Sequence, residues 1–384
     1  MRYTKKIIIF HWRDILNPES GGAENLLFKI VQNLSFEGIQ VIWVAPRFPN
    51  APPISKFGRV IVYRIGNRYN IYLLIPLFYF IKWHKKFDLF VDSITGIPWF
   101  TPLYVREKKL AVIYHLGKKE TFIKDLRHRV GIFGSILAAL AFILEKSIPL
   151  VYRGVDILTF SKDTRDELVD IGLSPSRIHI AQEGIELSRY IKFASCQKDL
   201  IPTVVYVGRL VATKGIEHLL QATSMIVNKI PNIRLIIIGR GYLEEKLKEY
   251  SKSLGISSNV LFTGYVTEEE KISILSRAHV LVHPSLREGW ATPVIEANAC
   301  GTPAIGTDVP GVRNTIINGV TGYLVPYGNP KVLAEKIISI ITEPEKTQKM
   351  AKMAIEFASQ YDINKTIEMA IKVFKILMNE KQKP

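Results

Sequence analysis

The stretch Ala278-His279-Val280-Leu281-Val282-His283-Pro284-Ser285-Leu286-Arg287-Glu288-Gly289-Trp290-Ala291-Thr292-Pro293-Val294-Ile295-Glu296-Ala297-Asn298-Ala299-Cys300-Gly301-Thr302-Pro303 reads as strand, loop and helix in succession. A short apolar run ends in Pro284-Ser285, and a Gly-bearing loop follows. Thr292 and Pro293 then open a helix, because proline lacks an amide hydrogen and is tolerated in a first turn. Gly301 supplies a left-handed cap and Pro303 prevents continuation. Glu288 is therefore expected on a loop after a strand's carboxyl end, and Glu296 on the first turn of the next helix. Both can face one crevice, the place where open α/β sheets bind ligands. Among 384 residues with 35 acids, about three acidic pairs at this separation arise by chance, so the spacing carries meaning only through its flanks.

Outward from this stretch the same alternation recurs. Lys6–Phe10, Ile39–Ala45, Val60–Arg64, Leu89–Asp92 and Leu110–His115 read as strands of the first half, with helices from Ala23 and near Tyr72–Trp83. They are continuous apolar runs, as buried parallel strands should be. After a patch of low order, Ser188 to Pro202, the alternation restarts. Strands Thr203–Val207, Ile233–Ile238, Val260–Thr263, Val280–His283 and Ala304–Thr307 are separated by helices from Gly215, Tyr242, Glu268 and Thr292. Residues 331 to 379 read as helical throughout. The fold class is α/β, with two doubly wound Rossmann-like domains facing each other across a cleft. The expected division is 1–187, 188–360, and a helix at 361–384 that packs back on the first domain.

Composition narrows the setting. The chain is 47% hydrophobic and carries two cysteines, Cys196 and Cys300, too few for a disulfide framework, so a reducing cytosol is expected. Lys5 and Lys6 precede only Ile7 to Phe10, and no signal peptide is read there. The longest apolar runs, Ile71 to Ile81 and Ile132 to Leu144, fall short of the ~18 residues that span a bilayer. Net charge is +16, and residues 47 to 129 hold 16 Lys/Arg against 5 Asp/Glu, or +11 of it. Such a field attracts phosphorylated substrates, anionic lipid or nucleic acid. The aromatic residues within it, Phe48, Phe57, Tyr63 and Tyr69, follow no stacking motif, and nucleic acid is not expected. Lys118, Lys119, Lys124, Arg127 and Arg129 before one apolar run, and Lys82, Lys85 and Lys86 after the other, suit an anionic membrane surface.

Several residues carry chemistry. Gly208-Arg209 ends a strand, and Lys214-Gly215 opens a helix; two cations beside helix amides suit a diphosphate. Gly21-Gly22 lies between the first strand and its helix, where paired glycines let a backbone approach an anion. His115 stands at a strand's carboxyl end. Gly239-Arg240-Gly241 lacks the third glycine of a dinucleotide fingerprint, since Glu244 occupies that place, and a nicotinamide cofactor is disfavoured. His279 and His283, four apart on a strand, lie ~13 Å from each other and cannot share a metal. No Asp-x-Asp occurs, and neither a Gly-x-Ser-x-Gly elbow nor a Walker loop is present.

Together these residues resemble the GT-B retaining glycosyltransferases of family four, the glycosyltransferase group 1 enzymes. The resemblance runs through Gly21-Gly22-Ala23-Glu24, Phe160-Ser161, Gly208-Arg209-Leu210, Lys214-Gly215, Gly264-Tyr265-Val266, His283-Pro284-Ser285, Glu288 to Glu296, Ala299 to Pro303 and Gly319 to Val325. It implies that Arg209 and Lys214 hold the donor diphosphate in place of a metal, and that Glu296 binds the ribose hydroxyls. Glu288 would contact the transferred sugar, helped by amides near Trp290, Ala291 and Thr292. Gly264 and Val266 would lie against the base, Gly21 and Gly22 near the phosphates, and His115 on the sugar. Trp290, Ala291 and Thr292 replace the commoner Phe, Gly and Leu. Gln182-Glu183-Gly184-Ile185-Glu186 stands where Asn-Gly-Ile/Val-Asp is usual, and no role attaches to Glu183.

The resulting expectation is a cytoplasmic, peripherally membrane-bound hexosyltransferase. It uses a nucleotide sugar, a lipid-linked or carbohydrate acceptor, no cofactor and no metal. Two other readings stay open at this point: a UDP-sugar epimerase of the same fold, and a non-catalytic basic binding module.

Overall fold

The computed structural model describes residues 5–118, 120, 121, 123, 124 and 133–379. These divide into two compact units, Met1–Lys118 with Ala138–Gln182 and Lys365–Pro384, and Lys119–Leu137 with Glu183–Asn364. The chain thus passes from the first unit to the second between Gln182 and Glu183, and returns between Asn364 and Lys365.

Among the described residues the first unit forms one eight-stranded sheet from β1 (Lys6–Phe10), β2 (Gln40–Ala45), β3 (Ile54–Phe57), β4 (Val60–Arg64), β5 (Leu89–Ile94), β6 (Lys109–Ile113), β7 (Asp156–Thr159) and β8 (Ile178–Ile180). Their order is β3-β4-β2-β1-β5-β6-β7-β8, parallel except for the β3–β4 hairpin. β1 and β5 are almost wholly buried, which is why they read as unbroken apolar runs. Order reverses at β1, so a crevice opens past the carboxyl ends of β1 and β5. Gly21 caps the helix Gly22–Phe36 there, with its amide donating to Glu24 Oε2 at 2.8 Å. The segment leading to it is anchored by Asp14, which takes a bidentate, fully buried pair from Arg64 at 2.8 and 2.7 Å.

The second unit forms a six-stranded parallel sheet from β9 (Thr203–Val207), β10 (Arg234–Ile238), β11 (Val260–Gly264), β12 (Val280–His283), β13 (Ala304–Thr307) and β14 (Gly322–Val325). The order β11-β10-β9-β12-β13-β14 reverses between β9 and β12. Loops leaving these two strands diverge to opposite faces, and a crevice between them is where open α/β sheets bind ligands. Two apolar layers cover the sheet. One gathers Leu219, Leu220 and Ile337 over one face, the other Leu275, Val294 and Ile295 over the opposite face.

Several elements depart from the sequence reading. Edge strand β3 and strands β7, β8 and β14, each three or four residues long, were not anticipated. The stretch 331–379 is three helices, Pro330–Thr342, Pro344–Ala358 and Ile363–Asn379, broken where Glu343 precedes a proline and again at Ser359–Asp362. The region expected to be of low order contains a helical turn, Leu187–Tyr190, with Tyr190 buried. The last helix receives Lys5 Nζ on the Met378 carbonyl at 2.9 Å and Lys108 Nζ on Leu377 at 2.8 Å, cations meeting a negative helix end. No described helix is long and apolar enough to cross a membrane.

Candidate active site

The loop after β9 is built around Gly215. It adopts φ +64°, a left-handed conformation that strains any residue with a Cβ, and a Cβ there would collide with the Pro284 carbonyl. This close approach, with the Leu286 amide donating to Thr213 O at 2.8 Å, stitches the β9 loop to the β12 loop. Lys214 and Glu288 consequently meet: Lys214 Nζ donates to Glu288 Oε1, and His283 Nε2 lies 3.0 Å from the same oxygen. Burial alone would raise the Glu288 carboxyl. The Lys214 cation and the His283 bond overcome this and hold it far below the usual carboxylate range. Arg209, in contrast, is exposed and has no ion-pair partner among the described residues.

The helix Thr292–Ala299 begins where the sequence places it, with proline in its first turn. Glu296 is its fifth residue and so stands on the second turn, not the first. Glu296 is 8% exposed, and its carboxylate accepts from Tyr190 Oη and Lys271 Nζ, each at 2.9 Å. Lys271 also pairs with Glu268 at 3.0 Å and lies over the Tyr190 ring. Burial would lower the Lys271 ammonium, yet Glu296 and Glu268 raise it above its ordinary value. Lys271 and Tyr190 are neighbours of Glu296 that sequence reading missed. Lys271 follows three glutamates on a surface helix, and nothing local signals this contact.

The Trp290–Thr292 segment behaves differently from expectation. The Trp290 ring is buried in the core, 5.2 Å from Tyr361. The Ala291 amide donates to Gly311 O at 2.9 Å, so it is not available to a ligand. Thr292 remains at the helix start, where first-turn amides lack intrahelical acceptors. Its hydroxyl donates to Glu183 Oε1 at 2.6 Å, which brings a third carboxyl beside the pair. Gly264 and Val266 lie at the end of β11, and Gly264 connects to the β9 loop through the Gly239 turn. Gly239 N donates to Gly264 O at 2.8 Å, and Gly208 N to Ile238 O at 3.0 Å. His279 and His283 sit at opposite ends of β12, in keeping with their separation on a strand.

Arg209, Lys214, Gly264, Val266, Glu288, Trp290, Ala291, Thr292 and Glu296 thus belong to the second unit, while Gly21, Gly22 and His115 belong to the first. His115 is half-buried just past β6. Of the basic cluster, Lys119, Arg127 and Arg129 lie outside the described residues. Lys118 pairs with Glu167 at 2.8 Å. Lys124 is drawn into an ion pair with Glu217 at 3.0 Å and a bond to Tyr327, so it is not the free surface cation the sequence suggested.

Two family models match consecutive parts of the chain, glycosyltransferase family 4 over residues 20–189 and glycosyl transferases group 1 over residues 192–357. The capsular polysaccharide biosynthesis glycosyltransferase CapM of Staphylococcus aureus is 31% identical over 68% of this chain and 69% of its own length. The chain belongs to the glycosyltransferase group 1 family. It is therefore a GT-B-type glycosyltransferase related to enzymes of capsular and other polysaccharide biosynthesis. Some further relatives align over less than half of their own length. Sucrose-phosphate synthase from Thermosynechococcus elongatus superposes with a TM-score of 0.78 at 20% identity, covering 97% of this chain and 99% of that one. Anabaena HepE in complex with UDP and glucose superposes with a TM-score of 0.72 at 17% identity, covering 97% and 100%. Both likenesses establish the GT-B fold, two Rossmann-like domains with parallel sheets.

Proposed function

We propose that this glycosyltransferase moves a hexosyl group from a nucleoside-diphosphate sugar to a lipid-linked or polysaccharide acceptor, with retention and without a divalent metal, at the cytoplasmic membrane face. The observation that carries the reading is the junction of the β9 and β12 loops, where Lys214 and His283 meet Glu288, with the exposed Arg209 on the same β9 loop. Departure of a nucleoside diphosphate builds negative charge on its phosphates. Two cations and helix amides fixed in place stabilise that charge without reorganising. Lys214 is held by Glu288 and so preset near the leaving group, while Arg209 is free to meet a phosphate. Glu296, kept in position by Lys271 and Tyr190, would take the ribose hydroxyls, and Gly264 and Val266 would border the base.

In the retaining route, the acceptor hydroxyl attacks the anomeric carbon on the face that the diphosphate leaves, and a phosphate oxygen takes its proton. No protein nucleophile is required. Charge for the phosphates comes from Arg209 and Lys214, which is why a metal is not invoked.

The membrane part rests on a different face. In the helix Ile71–Phe78 and the π-turn Tyr79–Trp83, Ile71, Ile75 and Tyr79 are buried, whereas Leu73 (78% exposed), Leu77, Phe80 and Ile81 (74% exposed) face outward. Lys82, Lys85 and Lys86 follow, all exposed, and no acid occurs between Ile65 and Phe87. An apolar stripe bordered by cations complements an anionic bilayer.

The test is a panel of UDP-, GDP- and ADP-sugars. One donor should stabilise the protein thermally and release nucleoside diphosphate faster when acceptor is added, with the α-configured donor giving an α-configured product. Binding of no member of the panel would remove the reading.

A further inference from the structure

Glu183 stands where the family motif usually has asparagine, and the fold sets it beside the start of the helix that carries Glu296. It is half-buried, on the segment where the chain enters the second unit, and a parallel bridge between Ile185 and Asp362 fixes that segment. Glu183 Oε1 accepts from Thr292 Oγ1 at 2.6 Å, at the start of the helix that carries Glu296.

The charged groups facing Glu183 are unequal. Glu288 approaches from the β12 loop and Glu296 from the Thr292 helix, and each is already matched by one cation, Lys214 and Lys271 respectively. Glu186, on Glu183's own segment, is paired with Arg189 at 3.1 Å. Among the described residues no ion pair joins Glu183 to a cation, and a bound diphosphate, which would engage Arg209, would add further negative charge. We propose that Glu183 serves the donor site as a neutral carboxylic acid, one oxygen fixed by Thr292 and its proton donated to the nucleoside diphosphate. This rests on the nucleotide-sugar reading above. Burial pushes the Glu183 carboxyl up to about 7, the Glu296 and Glu288 carboxylates add to the rise, and the Thr292 bond opposes it.

The sign of the pH effect follows. Below pH 7 the acid is protonated and donates. Above it, an anion faces the phosphates and repels them. Glutamine keeps the shape and a donor N–H but cannot ionise.

The experiment compares wild type with Glu183→Gln from pH 5.5 to 8, measuring the Kd of UDP, GDP and ADP by calorimetry. The variant-to-wild-type affinity ratio should rise from near 1 at pH 5.5 to about tenfold at pH 8, because ionisation removes roughly nine-tenths of the competent wild-type form one pH unit above its pKa. Using the ratio cancels titration of the nucleotide's own phosphate. Glu183→Ala should weaken binding at pH 5.5, and glutamine should restore it. Diphosphate binding with a ratio that stays flat or falls with pH would overturn the role of Glu183 while leaving the donor site standing. Binding of none of the three diphosphates to either protein would overturn both.

Discussion

Replacing Glu296 with alanine tests the proposed donor site separately from the fold, because the structure supplies its neighbours with a second partner. The carboxylate accepts two bonds on Oε1, from Tyr190 and Lys271, and both donors also bind Glu268. Glu296→Ala therefore leaves neither Lys271 nor Tyr190 stranded, and the loss of stability should stay near 1–2 kcal/mol rather than the ~3–5 kcal/mol of an orphaned buried charge. Donor binding should suffer more. Hydrogen bonds from ribose hydroxyls to a carboxylate contribute roughly 1.5–3 kcal/mol each, and partial compensation by water brings the net to about 2–3 kcal/mol. That corresponds to a ~30- to 150-fold rise in Kd. Calorimetry with a nucleoside diphosphate and with its 2′,3′-dideoxy analogue completes a double-mutant cycle. The wild type should prefer the ribonucleotide and the variant should not. Equal discrimination by the two proteins would show that Glu296 does not touch the ribose.

Arg209→Ala and Lys214→Ala should each lower kcat strongly, and the double variant should lose less than the product of the two, since on the proposed reading both address one diphosphate. Full additivity in steady-state assays would separate their roles. Activity should survive EDTA, measured as donor turnover before and after dialysis; loss that Mg²⁺ or Mn²⁺ restores would contradict the cationic site. Glu288, whose carboxyl is depressed in the folded state, contributes stability above the ordinary glutamate pKa of 4.5 that is lost as pH falls through the folded value. The thermal midpoint gap between wild type and Glu288→Gln should accordingly narrow on moving from pH 6 to pH 3. Replacing Leu73, Leu77, Phe80 and Ile81 together with glutamine should abolish co-flotation with anionic vesicles and spare donor hydrolysis. Unchanged flotation would show that this stripe does not seat the protein.

The sequence alone settled the layout. Buried parallel strands are written as local apolar runs, and helix boundaries as local Pro and Gly punctuation, so β9 to β13 and the Thr292 helix were legible within a residue or two. The placement of Glu288, Arg209 and Lys214 on loops at strand carboxyl ends followed from the same local reading. What the tertiary structure decided was which partners those residues meet. Tyr190 and Glu296 stand 106 positions apart, Glu183 and Thr292 109 apart, and Lys214 and Glu288 74 apart. Such meetings depend on strand order and on the close approach at Gly215, neither of which has a local pattern. The inward turn of Trp290, the occupation of the Ala291 amide and the capture of Lys124 by Glu217 have the same cause. An aromatic ring, an amide or an ammonium takes the partner that packing brings to it, and the sequence names only the group, not its neighbour.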